Sequence, residues 1–338
     1  MSLSVPAAAG ATVLVTRPGP RVAETVHGLA AQGVHPVVRP DALTPDDVLA
    51  QLHDLAGRGL LTVDPEADPD AADLVVRDPH GRPADAPAPS GAPARTGRVI
   101  LVGGGPGDPG LLTTAGLAAV EAADVVVCDR LAPLSVLSRA RPDAEIVHVG
   151  KIPRGAFTPQ EAIDALLVDR AAQGLDVVRL KGGDGFVFGR GGEEWNACVA
   201  AGIPVTVVPG VTSAVSAPAL AGIPVTHRSL TQGFVVVSGH VGPHDPRSDV
   251  DWGALARCGL TLVVLMGQAT LGEIADELVA HGLDPDTPAA VVAEGSLPGQ
   301  RTVRAPVTAI ADAARDAGIG PPAVTVVGRV VDALEDPA

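Results

Sequence analysis

The chain has 338 residues, with 46% hydrophobic and only 2% aromatic content, which is enough for two or three domains built on aliphatic cores. Its net charge of −15 argues against a surface for nucleic acid or an anionic membrane. No apolar run is long enough for a transmembrane helix, the N-terminus lacks a secretion signal, and three scattered cysteines show neither metal spacing nor an even number. We therefore expect a cytoplasmic protein with no metal site.

The middle of the chain is its least acidic part and holds its only two lysines. Lys151 and Lys181 each stand directly beside a glycine, whereas arginine is used elsewhere. They could be ordinary solvated lysines. We favour a functional role, because lysine is a tunable proton donor and a compact anion-binding charge.

In chain order, residues 1–82 begin with a strand–helix–strand pattern: a strand over Thr12–Thr16, a helix over Arg21–Gln32 and a strand over Val34–Arg39. The turn after the first strand lacks the repeated glycines of a pyrophosphate loop. We predict an accessory α/β segment of unknown role, followed by a Pro/Ala-rich linker at 83–97.

From Arg98 onwards strands and helices alternate regularly, which predicts two α/β domains at 98–212 and 213–332. For the first domain we predict strands at 98–102, 124–128, 145–149, 176–180 and 205–208, and helices at 114–122, 132–139, 159–173 and 192–201. For the second we predict a helix within 211–222, strands near 233–238, 260–265, 289–293 and 323–327, and helices near 269–281 and 306–316.

The first of these strands runs into a glycine-rich turn, with Thr113 or Thr114 as the cap of the next helix. Gly105–Gly110 satisfies G-x-G-x-x-G, and Asp129 follows the next strand, as in a dinucleotide fingerprint. However, Pro106 and Pro109 remove amide donors, and Asp108 places a carboxylate where a pyrophosphate would lie. The loop suits a neutral or cationic ligand better, and an NAD(P)-binding dehydrogenase remains the alternative from another class.

A series of motifs over residues 97–332 resembles the tetrapyrrole methylases, in particular those that methylate uroporphyrinogen III. The motifs are Val102-Gly-Gly-Gly-Pro-Gly-Asp-Pro-Gly-Leu-Leu-Thr113, Asp129-Arg-Leu131, Val149-Gly-Lys151, Arg179-Leu-Lys-Gly-Gly-Asp184, Phe186-Val-Phe-Gly-Arg-Gly-Gly-Glu-Glu194, Val208-Pro-Gly-Val-Thr-Ser213, Ala221-Gly-Ile-Pro-Val-Thr-His-Arg228, Leu265-Met-Gly267, Val292-Ala-Glu-Gly295 and the segment from Pro321 to Val330. Two departures from the family pattern are Gly185, where proline is usual, and Cys128, where an aromatic residue is frequent.

The resemblance implies a two-domain fold of two α/β/α sheets with the cofactor cleft between them, preceded here by the small N-terminal α/β segment. It implies S-adenosyl-L-methionine as cofactor and S-adenosyl-L-homocysteine as product. The cofactor-binding residues it implies are Pro106, Gly182, Gly183, Asp184, Val187, Thr212, Ser213, Met266, Gly295 and Ala323. For Asp184, an ordinary turn aspartate is the alternative.

For the chemistry, the resemblance implies Asp129 as proton acceptor and Lys151 as proton donor. Partial burial after an apolar strand would raise the pKa of Asp129, although pairing with Arg130 or another arginine is an alternative. Lys151 could instead bind a substrate carboxylate. The octacarboxylate substrate needs cations, and Arg130, Arg154, Arg190, His227 and Arg228 are the candidates that lie in or beside the motifs. His227 could equally be a structural turn residue.

The activity implied is the methylation of uroporphyrinogen III at C2 and C7 to precorrin-2, which feeds sirohaem and cobalamin synthesis, by a homodimer without a nucleic-acid or membrane partner. Another precorrin methyltransferase of the same fold is the nearest alternative. A protein that binds the cofactor but has lost catalysis through Gly185 is a further one.

Overall fold

The computed structural model describes residues 12–16, 26, 35–39, 46–57, 59–64, 74–77, 97–149 and 158–334. Within these ranges, no helix combines the length and apolarity needed to cross a membrane. The residues form two compact units: one comprises residues up to 104 together with 112–210, and the other comprises 105–111 together with the chain from 211 onwards. The α/β class is confirmed, and the units separate two residues before the predicted domain boundary of 212.

The first unit contains a nine-stranded sheet in the order β3-β2-β1-β4-β7-β6-β8-β5-β9. Its strands are β1 (Thr12–Thr16), β2 (His35–Arg39), β3 (Thr62–Val63), β4 (Leu74–Arg77), β5 (Arg98–Gly103), β6 (Val125–Asp129), β7 (Glu145–Val149), β8 (Asp176–Lys181) and β9 (Val205–Val208). From β7 to β9 all pairings are parallel, so the ends of β5, β6 and β8 lie at one edge. That edge is where such sheets bind ligands.

Two apolar layers cover the part of this sheet that follows Arg98, because its strands are Val-rich runs with side chains buried on both faces. The helices Gln160–Ala172 and Gly191–Ala200 supply core residues to one layer. The helix Thr114–Ala122 and the 3₁₀ helix Leu134–Arg139 supply the other. The helix predicted at 132–139 is a 3₁₀ helix over Leu134–Arg139. Pro133 precedes the segment, and Ser138 Oγ donates to the Ser135 carbonyl at 2.9 Å, which competes with α-helical bonding.

The N-terminal strands continue this same sheet. β1 to β4 are parallel to one another, and β4 pairs antiparallel with β7 through Val76 and Val147. The helix Asp46–Gly57, which the sequence did not predict, buries Leu52 and Leu55. Apart from Val26, the helix predicted over Arg21–Gln32 lies outside the described residues, as does the 83–97 linker except for its last residue. The N-terminal segment is therefore an extension of the first sheet.

The second unit contains a five-stranded sheet in the order β10-β11-β14-β12-β13. Its strands are β10 (Phe234–Ser238), β11 (Thr261–Leu265), β12 (Pro288–Ala293), β13 (Arg301–Pro306) and β14 (Ala323–Val327). β14 pairs antiparallel with both β11 and β12, and β13 pairs antiparallel with β12.

The helical segments described in this unit are the 3₁₀ helix Pro109–Leu111, the helices Ser213–Leu220, Trp252–Arg257, Leu271–Ala280 and Ile310–Asp316, and the 3₁₀ helix Arg329–Asp332. Sequence analysis missed the edge strand β13 and the helix Trp252–Arg257. β13 is rich in arginine and proline and only partly buried, so it lacks the apolar run typical of a strand. The helix has only six residues, too few for a clear period.

Candidate functional site

In the first unit, a buried group of charges lies where β6 and β8 end. Asp129 is the last residue of β6, and its side chain is 28% exposed. On the neighbouring strand, Arg179 and Lys181 are two residues apart and therefore share a face, where both are almost completely buried. Glu194, from the helix Gly191–Ala200, is fully buried against them.

Arg179 connects the two carboxylates. Its Nη2 donates to Asp129 Oδ1 at 2.5 Å and its Nε donates to Glu194 Oε1 at 2.8 Å. Nη1 bonds to the carbonyls of Val127 and Leu180. The arginine left open by sequence analysis as a partner of Asp129 is thus Arg179, which lies on the adjacent strand.

Lys181 completes the group. Its Nζ lies 2.9 Å from Glu194 Oε1 and 3.9 Å from Asp129 Oδ2. Burial and the positive charge of Arg179 lower the pKa of Lys181, against the opposing effect of the two carboxylates. For Arg179, burial is outweighed by Asp129 and Glu194, so its pKa is raised. Four buried or half-buried charges therefore meet at the carboxyl end of the sheet.

Beside this group, three glycines allow the ends of β5, β8 and β9 to meet without side chains. A Cβ on Gly210 would lie 2.3 Å from the Gly183 carbonyl oxygen and 2.6 Å from Gly103 Cα. Gly183 also has a φ of +64°, which favours glycine. Gly182 is equally restricted, since its Cβ would lie 2.7 Å from the Leu131 carbonyl oxygen. The predicted cofactor residues Gly182 and Gly183 therefore lie next to the loop that follows Asp129.

Asp184 connects the loop after β8 to the loop after β9 by hydrogen bonds. Its Oδ1 accepts from the Phe186 amide at 2.8 Å, and its Oδ2 accepts from the Gly210 amide at 3.0 Å. Its carboxylate thus already has two backbone partners. Val187, also predicted to bind cofactor, is half-buried in the same turn.

The loop from Gly185 to Arg190 has an unusual backbone. Phe188 and Arg190 adopt φ values of +55° and +59°, a conformation that side chains other than glycine rarely take and that concentrates at functional sites. Arg190 forms a two-bond pair with Glu193, at 2.8 and 2.7 Å. Gly185 is buried, and its carbonyl accepts from the Gly191 amide at 3.0 Å.

In the second unit, antiparallel pairing brings three predicted cofactor residues to one edge of the sheet. Met266 follows β11 and Gly295 follows β12, while Ala323 begins β14 opposite Ala293. Met266 has a φ of +58° and a half-exposed side chain. A Cβ on Gly295 would lie 2.7 Å from Ala217 Cβ, so only glycine fits there.

The glycine loop and the following helix reach the same edge of this unit. The Asp108 amide donates to Ser296 Oγ at 3.0 Å, so the loop that carries Pro106 is bonded to the loop after Gly295. Ala217 belongs to the helix Ser213–Leu220, which Thr212 caps by accepting from the Ala214 amide. The loop that carries Pro106 and the helix that begins at Ser213 therefore each reach the loop after β12, through Asp108 and Ala217 respectively.

The helix after the glycine loop begins as predicted, with Thr113 Oγ1 accepting from the Gly116 amide at 3.0 Å.

The residues predicted to bind the substrate carboxylates differ in exposure and bonding. Arg130 and Arg228 are exposed, whereas Lys151 and Arg154 lie outside the described residues. Half-buried His227 closes a turn: its carbonyl accepts from the Leu230 and Thr231 amides, and its Nδ1 accepts from the Ser229 amide at 3.4 Å. This bonding agrees with the structural alternative for His227. Its role in substrate binding stays a prediction.

Cys128 is fully buried, with its Sγ 3.4 Å from His148 Nδ1. Burial raises the pKa of its thiol to about 12, so the side chain is neutral at physiological pH. No cluster of three or more possible metal ligands occurs in the part of the chain that the structure describes.

Sequence analysis did not assign Arg179 and Glu194 to the site. Both lie inside the family motifs, and the available signal was the presence of two cations, at alternate positions, in the buried strand Asp176–Lys181. The identity of their partners depends on strand order and on the packing of a helix, which no local pattern encodes.

Known proteins are similar to this chain over most of its length. The family model for tetrapyrrole (corrin/porphyrin) methylases matches residues 98–311. A siroheme synthase of Neisseria meningitidis is 50% identical over 235 residues, which cover 70% of this chain and 48% of that protein. The chain thus spans about half the length of the siroheme synthases that it matches.

Two further matches cover nearly all of the other protein. An S-adenosyl-L-methionine-dependent uroporphyrinogen III methyltransferase of Methanosarcina barkeri is 46% identical, over 70% of this chain and 92% of its own length. The crystal structure of a uroporphyrin-III C-methyl transferase from Thermus thermophilus, complexed with S-adenyl homocysteine, superposes with a TM-score of 0.60. It is 43% identical and covers 70% of this chain and 100% of its own.

Proposed function

Because the chain belongs to the tetrapyrrole (corrin/porphyrin) methylases, we propose that it transfers methyl groups from S-adenosyl-L-methionine to uroporphyrinogen III, at C2 and then at C7, giving precorrin-2. The choice of substrate rests on the similarity to methyltransferases that act on uroporphyrinogen III. The observation in the structure that carries the proposal is Asp129, a partly exposed carboxylate held by a fully buried arginine at the ligand-binding edge of the sheet.

The residues that would hold the cofactor suit a neutral or sulfonium group. In the second unit, the edge formed by Met266, Gly295 and Ala323 presents apolar or small side chains, and no cation stands among these residues. Gly295 has no room for a side chain, so backbone can approach a ligand closely there. In the first unit, the loop at Gly182 and Gly183 has no side chains, so its backbone is the part that a ligand can contact.

S-adenosyl-L-methionine supplies an electrophilic methyl group when bound. The chain's own residues then have three tasks: to orient the substrate carbon, to exclude water and to move one proton after each transfer. Asp129 is the proposed proton acceptor, because Arg179 fixes the position of its Oδ1 while part of the carboxylate stays open to solvent. Lys151 is the proposed donor.

Substrate binding needs cations for eight carboxylates. Arg130 and Arg228 are exposed and can each offer two parallel N–H groups. Arg190 now pairs with Glu193, so it can bind a substrate carboxylate by exchanging or sharing that partner. We propose these three arginines, with Arg154 and His227, as the substrate-binding set.

The test is incubation with uroporphyrinogen III and methyl-labelled S-adenosyl-L-methionine. We expect two labelled methyl groups in the product, at C2 and C7, and two molecules of S-adenosyl-L-homocysteine. Methyl transfer to a later precorrin but not to uroporphyrinogen III would replace this function by that of another precorrin methyltransferase. Tight binding of NAD without binding of S-adenosyl-L-homocysteine would instead favour a dehydrogenase.

Two further proposals concern the cellular setting. We propose a cytoplasmic homodimer that supplies precorrin-2 to sirohaem or cobalamin synthesis. The similarity to siroheme synthases supports the first branch. Sedimentation of the purified chain tests the dimer, and a monomer at micromolar concentration would contradict it.

A further inference from the structure

The group formed by Asp129, Arg179, Lys181 and Glu194 brings four charges together at a mostly buried place. Because replacing a buried ion pair with well-packed apolar residues is often neutral or stabilising, such a group is weak evidence for a role in stability alone. Only Asp129 among the four has a side chain with substantial exposure, at 28% against 3% or less for the others. Three buried charges therefore act on one accessible carboxylate.

The hydrogen bonds are distributed unevenly. Glu194 Oε1 accepts from Arg179 Nε and Lys181 Nζ, at 2.8 and 2.9 Å, and lies 3.4 Å from Gln160 Nε2. Glu194 Oε2 has no partner although it is buried. Glu194 thus draws both cations towards itself, and Lys181 lies 3.9 Å from Asp129 Oδ2.

We propose that Lys181 and Glu194 are positioning residues that set the proton affinity of Asp129 in opposite directions. Lys181 favours the carboxylate by its charge, and Glu194 limits that effect by binding Lys181 and Arg179. This inference rests on the proposed function, in which Asp129 accepts a proton.

Among the residues that the structure describes, two elements supply the charged groups that face Asp129. β8 supplies Arg179 and Lys181, and the helix Gly191–Ala200 supplies Glu194. On β7, the residue opposite Asp129 is the uncharged Val149. Arg130, next in the chain, is exposed. Asp164, on the helix Gln160–Ala172, has a pKa raised by burial and by the charge of Glu194. Among these described charges, a change at position 181 or 194 should therefore shift the response of Asp129.

The two positions give effects of opposite sign. In Lys181→Met, Asp129 loses a nearby cation, so its charged form is less favoured and the acid limb of the kcat–pH profile moves up by about one unit. In Glu194→Gln, both cations act on Asp129 alone, so its charged form is more favoured and the acid limb moves down. Lys181→Arg keeps the charge and should leave the limb nearly unmoved. Affinity for S-adenosyl-L-homocysteine should stay unchanged in all three.

Arg170→Met is the matched control. Arg170 forms an equally buried pair with Glu145 elsewhere in the same unit, at 2.8 Å. Its loss should lower stability without moving the acid limb. If Lys181→Met does not fold, the nearly isosteric Glu194→Gln variant tests the inference alone, because its acid limb should move to lower pH.

A second readout is independent of activity: the ¹³C titration of the Asp129 carboxyl, assigned by its loss in Asp129→Asn. If the folded, active variants show no shift, or shift in the same direction, the inference is overturned. If the wild-type chain transfers no methyl group, the proposed function fails, and the titration still reports on the network.

Discussion

Replacing Asp184 with alanine separates two roles that this residue could have. The carboxylate bonds to the amides of Phe186 and Gly210, and thereby connects the loops after β8 and β9. The resemblance to the family instead predicts a direct contact with the cofactor. Connecting the two loops would contribute to the stability of the fold, whereas a direct contact would contribute only to cofactor binding.

The expected loss of stability follows from the two bonds. A hydrogen bond to a charged group contributes about 1.5–3 kcal/mol when it is buried. The Phe186 amide is exposed and would be rehydrated, so we assign its bond about 1 kcal/mol, and the partly buried Gly210 amide about 2 kcal/mol. Asp184→Ala should therefore destabilise the chain by about 3 kcal/mol, or about 6–12 °C in Tm.

Asp184→Asn is the graded variant, because its amide keeps one acceptor oxygen but presents a donor to the second N–H group. It should lose about half as much. Asp312→Ala is the control for removing an aspartate: Asp312 is 71% exposed and pairs with Arg315, so its loss should cost less than about 1 kcal/mol. The assays are thermal unfolding and calorimetric titration with S-adenosyl-L-homocysteine. An alanine variant with the wild-type Tm but greatly weakened binding would refute the loop-fastening role.

Three other predictions follow from the packing of the chain. At pH 8 iodoacetamide should modify only the exposed Cys258, because burial raises the pKa of the other two thiols to about 12 and about 11; modification of all three in the folded protein would contradict this. Gly295→Ala should weaken S-adenosyl-L-homocysteine binding, whereas Gly320→Ala, with open space around its Cβ, should not; equal affinities would remove Gly295 from the site. Deletion of residues 1–96 should preserve methyl transfer but lower Tm and solubility, because it exposes the β7 edge; an inactive, unfolded product would show that the extension is indispensable.

Much of the fold could be predicted because hydrophobic strands and amphipathic helices carry local periodic signals. β7 and β9 have the predicted bounds, β5 and β8 extend one residue further than predicted, and β6 is shifted by one residue. β13 was missed because an edge strand rich in arginine and proline carries no such signal. The joining of the N-terminal strands to β7 was missed because pairing between distant strands is not a local property.

In the site, too, local motifs could be predicted from the sequence, whereas contacts between distant strands could not. The motifs predicted Gly182, Gly295 and Met266 as cofactor residues, which stays a prediction, and antiparallel register brings the last two to one edge of their sheet. The partner of Asp129 could not be read from sequence. Arg179 reaches it because β6 and β8 are neighbours in the sheet although 50 residues separate the two side chains in the chain.

The central claim is tested most directly by Asp129→Asn in the labelled methyl-transfer assay. The variant is nearly isosteric, so we expect it to fold and to bind S-adenosyl-L-homocysteine as the wild type does, while kcat falls by about 10²–10⁴-fold, as for loss of a general base. Two labelled methyl groups should still reach uroporphyrinogen III with the wild-type chain. Unchanged kcat in the variant would contradict the role of Asp129 as proton acceptor and, with it, the proposed positioning roles of Lys181 and Glu194.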